Sequence, residues 1–483
     1  MTFRSIGLAG AAAFALTAPA LAAGAGSTDD PRLQALEQQL RDVQRQLSEL
    51  KAARRDDNFN TLSDLNRSTS ARYDDLNGRL ERPPKTGIDN GRFTIASADG
   101  DFTLSLRSLI QFDYGYFAQG KGPAGVDLSS GSNFRRAQFG FTGTAWRDWS
   151  YNFTYDFGGN GIEKSGYIYS AYLQYDGLKP FGVRVGAFAP PAGIEDATGS
   201  ADLIFLERPA VADIARNVAG SPGREGVSLF AQGDDYLVSV AYTGKKATDA
   251  ATFDSQEAVV SRASWLAVRS ANFNWLLDAS LSHVFKLADT AAGSDSPNSF
   301  SFSNGPELAV DSTRTVNTGA IDAKAVTEWG FETAATYGPF YAQGGYFHFD
   351  VTRRTPLPDP DFSGWYALAT WSLTGESRRY DPATASFRGL KPLHPLGTDG
   401  GFGAFEAVTR FSRIDLDYQP LLAAGAGGVK GGVQNVWTLG LNWYPTGGLR
   451  FALDYDNIQV NHINAPASDI SASAIALRSQ ISF

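Results

Sequence analysis

Four histidines are the side chains of this sequence best suited to acid–base or metal chemistry near neutral pH. They are scattered, without the spacing of metal ligands or of a catalytic group, at His283, His348, His394 and His462. The sequence has no cysteine, which excludes disulfides and thiolate metal sites. It also has no Gly-x-Ser-x-Gly nucleophile elbow from residue 92 onwards. We therefore predict no catalytic residue, no metal site and no cofactor, and a protein that is not an enzyme.

Arginines offer a different chemistry, because a guanidinium binds carboxylate and phosphate groups through paired hydrogen bonds. Six of them occupy polar positions in segments where polar and apolar residues alternate: Arg107, Arg136, Arg184, Arg410, Arg450 and Arg478. Facing a water-filled lumen, they would form a ladder that guides anions. Alternatively, they pair with acidic residues on the same faces and hold the wall rigid, the candidates being Asp113, Asp156, Glu406 and Asp454. The sequence leaves both interpretations open.

The segments that carry these arginines predict β-strands. From residue 92 onwards hydrophobicity has a period of two, as in Phe102, Leu104 and Leu106 against Thr103 and Ser105. In a soluble sandwich the apolar face would be the core, whereas in a membrane barrel it faces lipid and the polar face lines a wet lumen. Strands of about ten residues, with aromatic side chains at their ends, favour the barrel.

The amino-acid composition agrees with a barrel whose strand residues face lipid and lumen in alternation. Aromatic residues make up 12% of the 483 residues and glycines number 51, yet the mean hydropathy is only −0.22 because the two faces cancel. The net charge of −9 offers no basic patch for nucleic acid. The one long apolar run follows Arg4 and precedes small residues at Ala20 and Ala22, which predicts a secretory signal peptide over residues 1–22. Since no later run is long enough for a spanning helix, a membrane form must be a closed barrel.

Residues 30–82, between the signal peptide and the strands, predict a periplasmic coiled coil. Apolar residues repeat there with 3-4-3-4-3 spacing, at Leu33, Leu36, Leu40, Val43, Leu47 and Leu50. This is the a/d seam of a coiled coil, and Pro83-Pro84 ends the helical pattern. The alternative is a solvated amphipathic helix that pairs with nothing. The strict seam favours the coiled coil, as a trimer.

Short joints alternate with long connections along residues 92–483, and counting strands through them gives about sixteen. An even number of strands, with short periplasmic turns and long external loops, is typical of bacterial barrels. One joint breaks the alternation, because residues 376–400 are long where a periplasmic turn is expected. The last strand ends at Phe483, which predicts recognition by the barrel-insertion machinery. We therefore predict an all-β fold: an antiparallel transmembrane β-barrel of about sixteen strands with a short N-terminal helical coiled coil.

Several segments resemble the phosphate-selective porin O and P family. They are Phe134-Arg135-Arg136-Ala137, Val185-Gly186-Ala187-Phe188, Phe205-Leu206-Glu207-Arg208, Leu373–Tyr380, Gly401–Glu406, Thr409–Ser412, Leu439–Tyr444 and Leu477–Phe483. The resemblance covers about 92–483. It implies a sixteen-stranded trimer whose third external loop, matching 190–223, folds inward and constricts each pore.

The resemblance also implies which residues bear on selectivity. In phosphate-selective members, lysines in and just before the third loop bind the anion, whereas Ala189 and Ala201 stand at the matching positions here. A constriction that selects phosphate needs fixed cations to replace the lost hydration, so this departure argues against tight phosphate binding. The candidate pore-lining residues are Arg107, Arg136, Arg184, Arg208, Glu195, Asp196, Asp202, Arg410 and Glu406.

The predicted function is a porin in the bacterial outer membrane for passive diffusion of small ions and solutes. Its predicted partners are outer-membrane lipid and two further copies of itself in a homotrimer, with no nucleic acid. The first alternative is a true phosphate- or polyphosphate-selective anion channel. A remote alternative is an outer-membrane barrel enzyme, which needs a nucleophile, a base and an orienting group near one rim. A plugged receptor or adhesin needs a folded plug domain, for which residues 30–90 are too helical and too short.

Overall fold

The computed structural model describes residues 31–53, 59–80, 84–89, 91–158, 166–249, 254–290, 297–397, 400–463 and 465–483. The chain forms two compact units, Met1–Glu81 and Arg82–Phe483. The predicted signal peptide, residues 1–22, lies outside the described residues.

The first unit contains two helices, α1 (Pro31–Ala53) and α2 (Phe59–Leu80). On α1 the apolar residues Leu36 and Val43 of the predicted seam are 45% and 42% exposed in a single copy. Exposed apolar side chains at seam positions are what a coiled coil presents to its partners. The pairing itself stays a prediction. None of the described helices combines the length and the hydropathy needed to cross a membrane.

The wall of the second unit consists, among the described residues, of sixteen antiparallel strands. They are β3 (Thr103–Lys121), β4 (Gly131–Ala145), β5 (Trp149–Asp156), β6 (Tyr167–Leu178), β7 (Phe181–Phe188), β8 (Arg224–Gln232), β9 (Tyr236–Lys246), β10 (Glu257–Arg269), β11 (Phe273–Lys286), β14 (Ala323–Tyr337), β15 (Phe340–Arg353), β16 (Asp361–Ser372), β19 (Ala404–Tyr418), β20 (Val429–Thr446), β21 (Leu449–Asn461) and β22 (Ile470–Ser482).

Smaller elements precede the wall or lie in its connections. A hairpin of β1 (Lys85–Asp89) and β2 (Arg92–Ala96) continues into β3. The remaining elements are α3 (Ile194–Ala197), α4 (Ala210–Ala219), the paired strands β12 (Ser303–Asn304) and β13 (Val316–Asn317), the paired strands β17 (Tyr380–Asp381) and β18 (Ser386–Phe387), and two 3-10 turns at Ala424–Ala426 and Pro466–Ser468.

The last strand closes the barrel on the first. Strand β22 pairs with β3, with Leu477 opposite Tyr114, and Phe483 exchanges two backbone hydrogen bonds of 2.9 and 3.1 Å with Ser108. Closure satisfies the backbone groups that an open edge would leave unpaired in lipid. The predicted sixteen-stranded barrel is thus confirmed, while the role of Phe483 in insertion stays a prediction.

The wall turns its apolar residues outward and its polar residues inward. On β3, Phe112 and Tyr114 are 41% and 48% exposed, whereas Gln111 and Asp113 beside them are fully buried. A soluble sandwich would bury the aromatic face instead. The outer surface therefore suits lipid, and the polar groups that could act on a solute lie inside.

The connections differ in length at the two rims. Where β22 ends, the joints have two or three residues, as at 146–148 and 447–448; we call this the periplasmic rim. At the opposite rim, loop 3 (residues 189–223), which matches the predicted third external loop, joins the fifth and sixth strands of the wall, and loop 5 is residues 287–322. The predicted exception is also present, since residues 373–403 form a long joint at the periplasmic rim. We call this joint the periplasmic segment.

Candidate pore constriction

Loop 3 folds into the barrel. Its helix α4 packs against the inner wall formed by β10, β11, β14, β15, β16 and β19. The side chains of Val211, Ala215 and Val218 on this helix are buried in one apolar cluster with Phe347 and Phe349 of the wall. An apolar patch on an otherwise polar inner wall thus receives the helix. Loop 3 is therefore held on one side of the lumen and narrows the pore.

Three wall arginines bind loop 3 through its backbone carbonyls. Arg410 donates a hydrogen bond to the carbonyl of Glu207 at 2.7 Å, and Arg478 donates to that of Leu206 at 2.7 Å. Arg450 donates to two further carbonyls of the loop. These arginines satisfy loop carbonyls that would otherwise be buried without a partner. They serve to hold the loop and offer no free cation to a solute.

Two of these arginines also pair with buried carboxylates. Arg478 forms two hydrogen bonds, of 2.7 and 2.6 Å, with the predicted partner Asp113. Arg410 lies 2.6 Å from a carboxylate oxygen of Glu307 in loop 5. All four side chains are buried. Structural pairing with a carboxylate is therefore the role of Arg410 and Arg478.

The other three predicted arginines have no acidic side chain within salt-bridge distance among the described residues. Arg136 donates to Gln111 at 2.7 Å, and Arg184 donates to Gln174 at 2.7 Å. Arg107, on the inner face of β3, makes no hydrogen bond or ion pair within the part of the chain that the structure describes. Their charge remains available to ions in the lumen. Of the six arginines, two therefore pair with carboxylates, Arg450 binds loop carbonyls and Asn442, and the remaining three have no acidic partner among the described residues.

A β-bulge brings a further arginine to the lumen. The register between β3 and β4 shifts at Gln111, and Arg135 is the extra residue of the shift. Strict alternation would point Arg135 to lipid, because its neighbour Arg136 faces inward. Instead it binds Glu207 with two hydrogen bonds of 2.6 and 3.0 Å. Sequence reasoning missed this residue; the available signal was a charged residue at a position that alternation assigns to lipid.

The remaining charged side chains of loop 3 also have partners. Arg216 lies 2.6 Å from Asp196, and Arg388 of the periplasmic segment lies 3.3 Å from Asp202. Arg208 donates to two carbonyls of its own loop, at 3.1 and 2.8 Å. Asp196 and Asp202 are therefore each paired with an arginine at the constriction.

Two loop carboxylates are held in the ionised state. Burial favours the neutral form, but the guanidinium groups of Arg135 and Arg136 outweigh it and lower the pKa of Glu207 to about 2. Burial acts in the same way on Asp196, where Arg216 overcomes it and lowers the pKa. Both carboxylates therefore stay charged at neutral pH and remain paired with Arg135 and Arg216.

Glu332 on β14 anchors the start of loop 3 and was not among the predicted residues. Its carboxylate accepts hydrogen bonds from the first backbone N–H groups of α3 and from the hydroxyl of Tyr366. The neighbouring Glu195 accepts a hydrogen bond from Gln343 at 3.0 Å. Burial raises the pKa of Glu195, although Arg208 opposes the shift. The sequence marks Glu332 only as one more polar position on a strand.

The periplasmic segment fills the lumen from the other rim. Arg378 binds Glu406 with two hydrogen bonds of 2.8 Å each, and Arg262 on β10 donates to two carbonyls between β17 and β18 at 2.7 Å each. Asp202 of loop 3 accepts a hydrogen bond of 2.8 Å from the backbone N–H of Gly389. The joint that breaks the alternation is therefore an inward-folded part of the pore that meets loop 3.

A cavity of about 390 Å³ lies between loops 3 and 5 and the wall. Its lining includes Arg136, Tyr167, Tyr169, Ser200 and Arg208. Charged residues of loop 3 and tyrosines of β6 therefore face the same cavity.

Sequence comparison decides the family. The model of the family described as "Phosphate-selective porin O and P" matches residues 102–483. The chain belongs to this family. This porin is similar to Porin O of Pseudomonas aeruginosa, with 27% identity over 414 residues, which cover 81% of this chain and 91% of that protein. It is also similar to an uncharacterized protein of Caulobacter vibrioides, with 25% identity over 365 residues, 74% of this chain and 68% of that one.

Solved outer-membrane proteins are similar to this porin at low sequence identity. The anion-selective porin from Comamonas acidovorans has a TM-score of 0.48 at 13% identity, covering 79% of this chain and 100% of that chain. The outer membrane channel DcaP of Acinetobacter baumannii has a TM-score of 0.45 at 11% identity, covering 79% and 97%.

Family membership confirms the predicted function and location. This porin is a channel for passive diffusion of small ions and solutes, and it resides in the bacterial outer membrane. Membership points to a channel rather than an enzyme. Within the described residues, no three histidine, aspartate or glutamate side chains are arranged to hold a metal ion.

The predicted site residues of this porin fall into three groups. One lies in loop 3 at the constriction and consists of Glu195, Asp196, Asp202 and Arg208. The second is sealed beneath loop 3 or the periplasmic segment and consists of Arg410 and Glu406. The third consists of Arg107, Arg136 and Arg184, which have no acidic partner among the described residues. That the third group supplies the charge met by a solute in the lumen stays a prediction.

Proposed function

We propose that this porin is a weakly ion-selective pore that does not bind phosphate tightly. The supporting observation is the pairing of charges in loop 3, where Glu207, Asp196 and Asp202 each contact an arginine. Charges at the narrowest point act in the lowest effective dielectric, so they count for more than charges on the wall. A constriction whose charges are balanced selects weakly between anions and cations.

The three unpaired wall arginines add a slight preference for anions. Arg136 lies near the constriction, while Arg107 and Arg184 lie within four residues of the periplasmic ends of their strands. Arg107 and Arg136 lie four residues apart along the ladder of β3 and β4, and Arg184 lies on β7, so the three charges do not form one cluster around a phosphate. A phosphate ion has to give up hydration to bind, and a single guanidinium does not replace it.

A lysine at position 201 should create the missing anion site. The backbone carbonyl of Ala201 accepts a hydrogen bond from Gln480 at 2.9 Å, which fixes this part of loop 3 against the wall. Ala201→Lys adds an unpaired cation there, so we expect the reversal potential in a salt gradient to shift toward anions and phosphate to block the chloride current. Planar-bilayer recording measures both quantities.

Ala201→Gln is the matched control, because it adds a polar side chain of similar reach without the charge. It should leave the reversal potential close to that of the unaltered porin. Micromolar phosphate block of the unaltered pore would contradict the proposed function. The matching of loop 3 to the phosphate-selective members would then be wrong, and Arg136 and Arg184 would become the first candidates for the anion site.

We also propose a homotrimer, assisted by the predicted coiled coil of α1. Leu36→Asn with Val43→Asn places polar groups in the seam, and we expect the trimer band of crosslinked, detergent-extracted protein to weaken. The barrel should still fold, since its strands are paired within one chain. Gln38→Asn, outside the seam, is the control and should leave the band unchanged. A monomer at every concentration of the unaltered protein would contradict the trimer.

A further inference from the structure

Arg184 has surroundings unlike those of the other lumen arginines. Its guanidinium carbon lies 4.5 Å from the ring centroid of Tyr172, 5.6 Å from that of Phe188 and 5.8 Å from that of Phe230. Ring faces attract a guanidinium, but they do not use its N–H donors as a carboxylate would. The three rings belong to neighbouring strands β6, β7 and β8, so the wall itself builds this arrangement.

A chain of hydrogen bonds fixes one side of the guanidinium. The Nε–H group of Arg184 donates to the side-chain oxygen of Gln174 at 2.7 Å. The amide nitrogen of Gln174 in turn donates to Asp176 at 2.7 Å, which orients the amide. No acceptor contacts the two terminal nitrogens of Arg184 within the described part of the chain. Their N–H groups therefore remain available to a solute.

The position of Arg184 suits a solute that has passed the constriction. It lies near the start of β7, and loop 3 leaves from the other end of that strand. Helix α4 packs on the wall between β10 and β19, away from β7. Phe188 is buried behind the guanidinium, while Tyr172 and Phe230 remain partly exposed. The site thus combines one cation with two accessible rings.

Gly182 sets the position of one of these rings. It stands opposite Phe230 in the register of β7 and β8, and a Cβ atom at Gly182 would overlap the ring of Phe230. Glycine lets the ring lie against the wall beside Arg184. A larger residue would displace the ring from this position.

We propose that Arg184, Tyr172 and Phe230 form a binding site for organic anions that carry a carboxylate on an aromatic ring. The proposal rests on the proposed function, a weakly selective pore, and names the class of solute that this pore retains during passage. The carboxylate pairs with the terminal N–H groups of Arg184. The aromatic body stacks on Tyr172 or Phe230. Inorganic phosphate would use the cation alone.

Benzoate and acetate test the site, because they share the carboxylate and differ by the ring. We expect benzoate to block the chloride current of the bilayer-inserted porin at about tenfold lower concentration than acetate. Arg184→Gln should raise the benzoate concentration for half block about tenfold. Tyr172→Leu and Phe230→Leu should each raise it about threefold and bring benzoate closer to acetate.

Arg107→Gln is the matched control, since it removes a lumen charge that has no aromatic rings in contact with its guanidinium among the described residues. It should shift the reversal potential and keep the difference between benzoate and acetate. Arg184→Lys is a second variant of the same residue, which keeps the positive charge but loses the paired N–H groups of the guanidinium. It should therefore weaken benzoate block. Heat-modifiable gel mobility shows that each variant is folded.

Equal block by benzoate and acetate in the unaltered porin would overturn the proposal. An unchanged benzoate block in folded Arg184→Gln and Arg184→Lys would overturn it too. Block of the chloride current by micromolar phosphate would contradict the proposed function instead. It is measured separately from the ratio of the benzoate and acetate concentrations that give half block. The two failures are therefore distinguishable.

Discussion

Replacing Arg478 with methionine is expected to destabilise the folded barrel by about 3–5 kcal/mol. The side chains of Arg478 and Asp113 are fully buried, and the variant leaves the carboxylate of Asp113 without its cation. It also removes the hydrogen bond to the carbonyl of Leu206, which holds loop 3. The midpoint of urea unfolding in detergent, followed by heat-modifiable gel mobility, measures the loss.

The double variant Asp113→Asn with Arg478→Met separates the buried charge from the lost packing. Because it removes both charges, it should recover most of the stability that Arg478→Met loses. Asp113→Asn alone should also be destabilising, since it leaves Arg478 without its carboxylate. Equal stability of Arg478→Met and the unaltered barrel would show that this ion pair does not hold the wall.

Removing the β17–β18 hairpin is expected to increase the single-channel conductance about twofold. Tyr380–Phe387 can be replaced by two glycines, because the N–H of Arg388 already donates to the carbonyl of Arg379 at 2.8 Å and brings the ends together. Arg262 loses two carbonyl partners but keeps Asp278 at 2.8 Å. The hairpin occupies lumen space next to Tyr341, so its loss widens the path.

Deleting Ala423–Gly427 from an external connection is the control for the loss of a short loop. Ala423–Ala426 are exposed, and the buried Gly427 contacts Pro358 and Arg353 of a neighbouring external connection and strand end. Because this connection lies at the external rim, conductance should stay unchanged. Single-channel recording in a planar bilayer compares the two deletions at the same salt concentration. Unchanged conductance after removal of the hairpin would mean that loop 3 alone limits the current.

The position of the long joint was predictable, but its role was not. Counting strands showed that residues 376–400 are too long for a periplasmic turn. The inward fold depends on partners supplied by other strands, such as Arg262 for the hairpin and Glu406 for Arg378. For this reason Glu406, predicted to line the pore, lies sealed beneath the segment. A local pattern carries no information about such distant partners.

The alternation of polar and apolar residues was sufficient to predict the barrel and the inward direction of the six arginines. A period of two in hydrophobicity is a local property of the sequence. Because lipid surrounds the barrel and water fills it, the apolar face of each strand points outward and the polar face points inward. Closure follows because a wall in lipid cannot leave an edge unpaired. The sequence by itself therefore determined the sixteen strands, their faces and the inward loop 3 that the family resemblance implied.

Only the tertiary structure decided which arginines are free. One bulge turned Arg135 from lipid to lumen, which no alternation rule anticipates. Arg478 holds loop 3 by donating a hydrogen bond to the carbonyl of Leu206, 272 residues away in the chain. Arg184, in contrast, contacts aromatic rings and one side-chain amide. The physical reason is that alternation specifies the direction of a side chain, while its partners depend on which distant backbone and side-chain groups the closed barrel brings within hydrogen-bond distance.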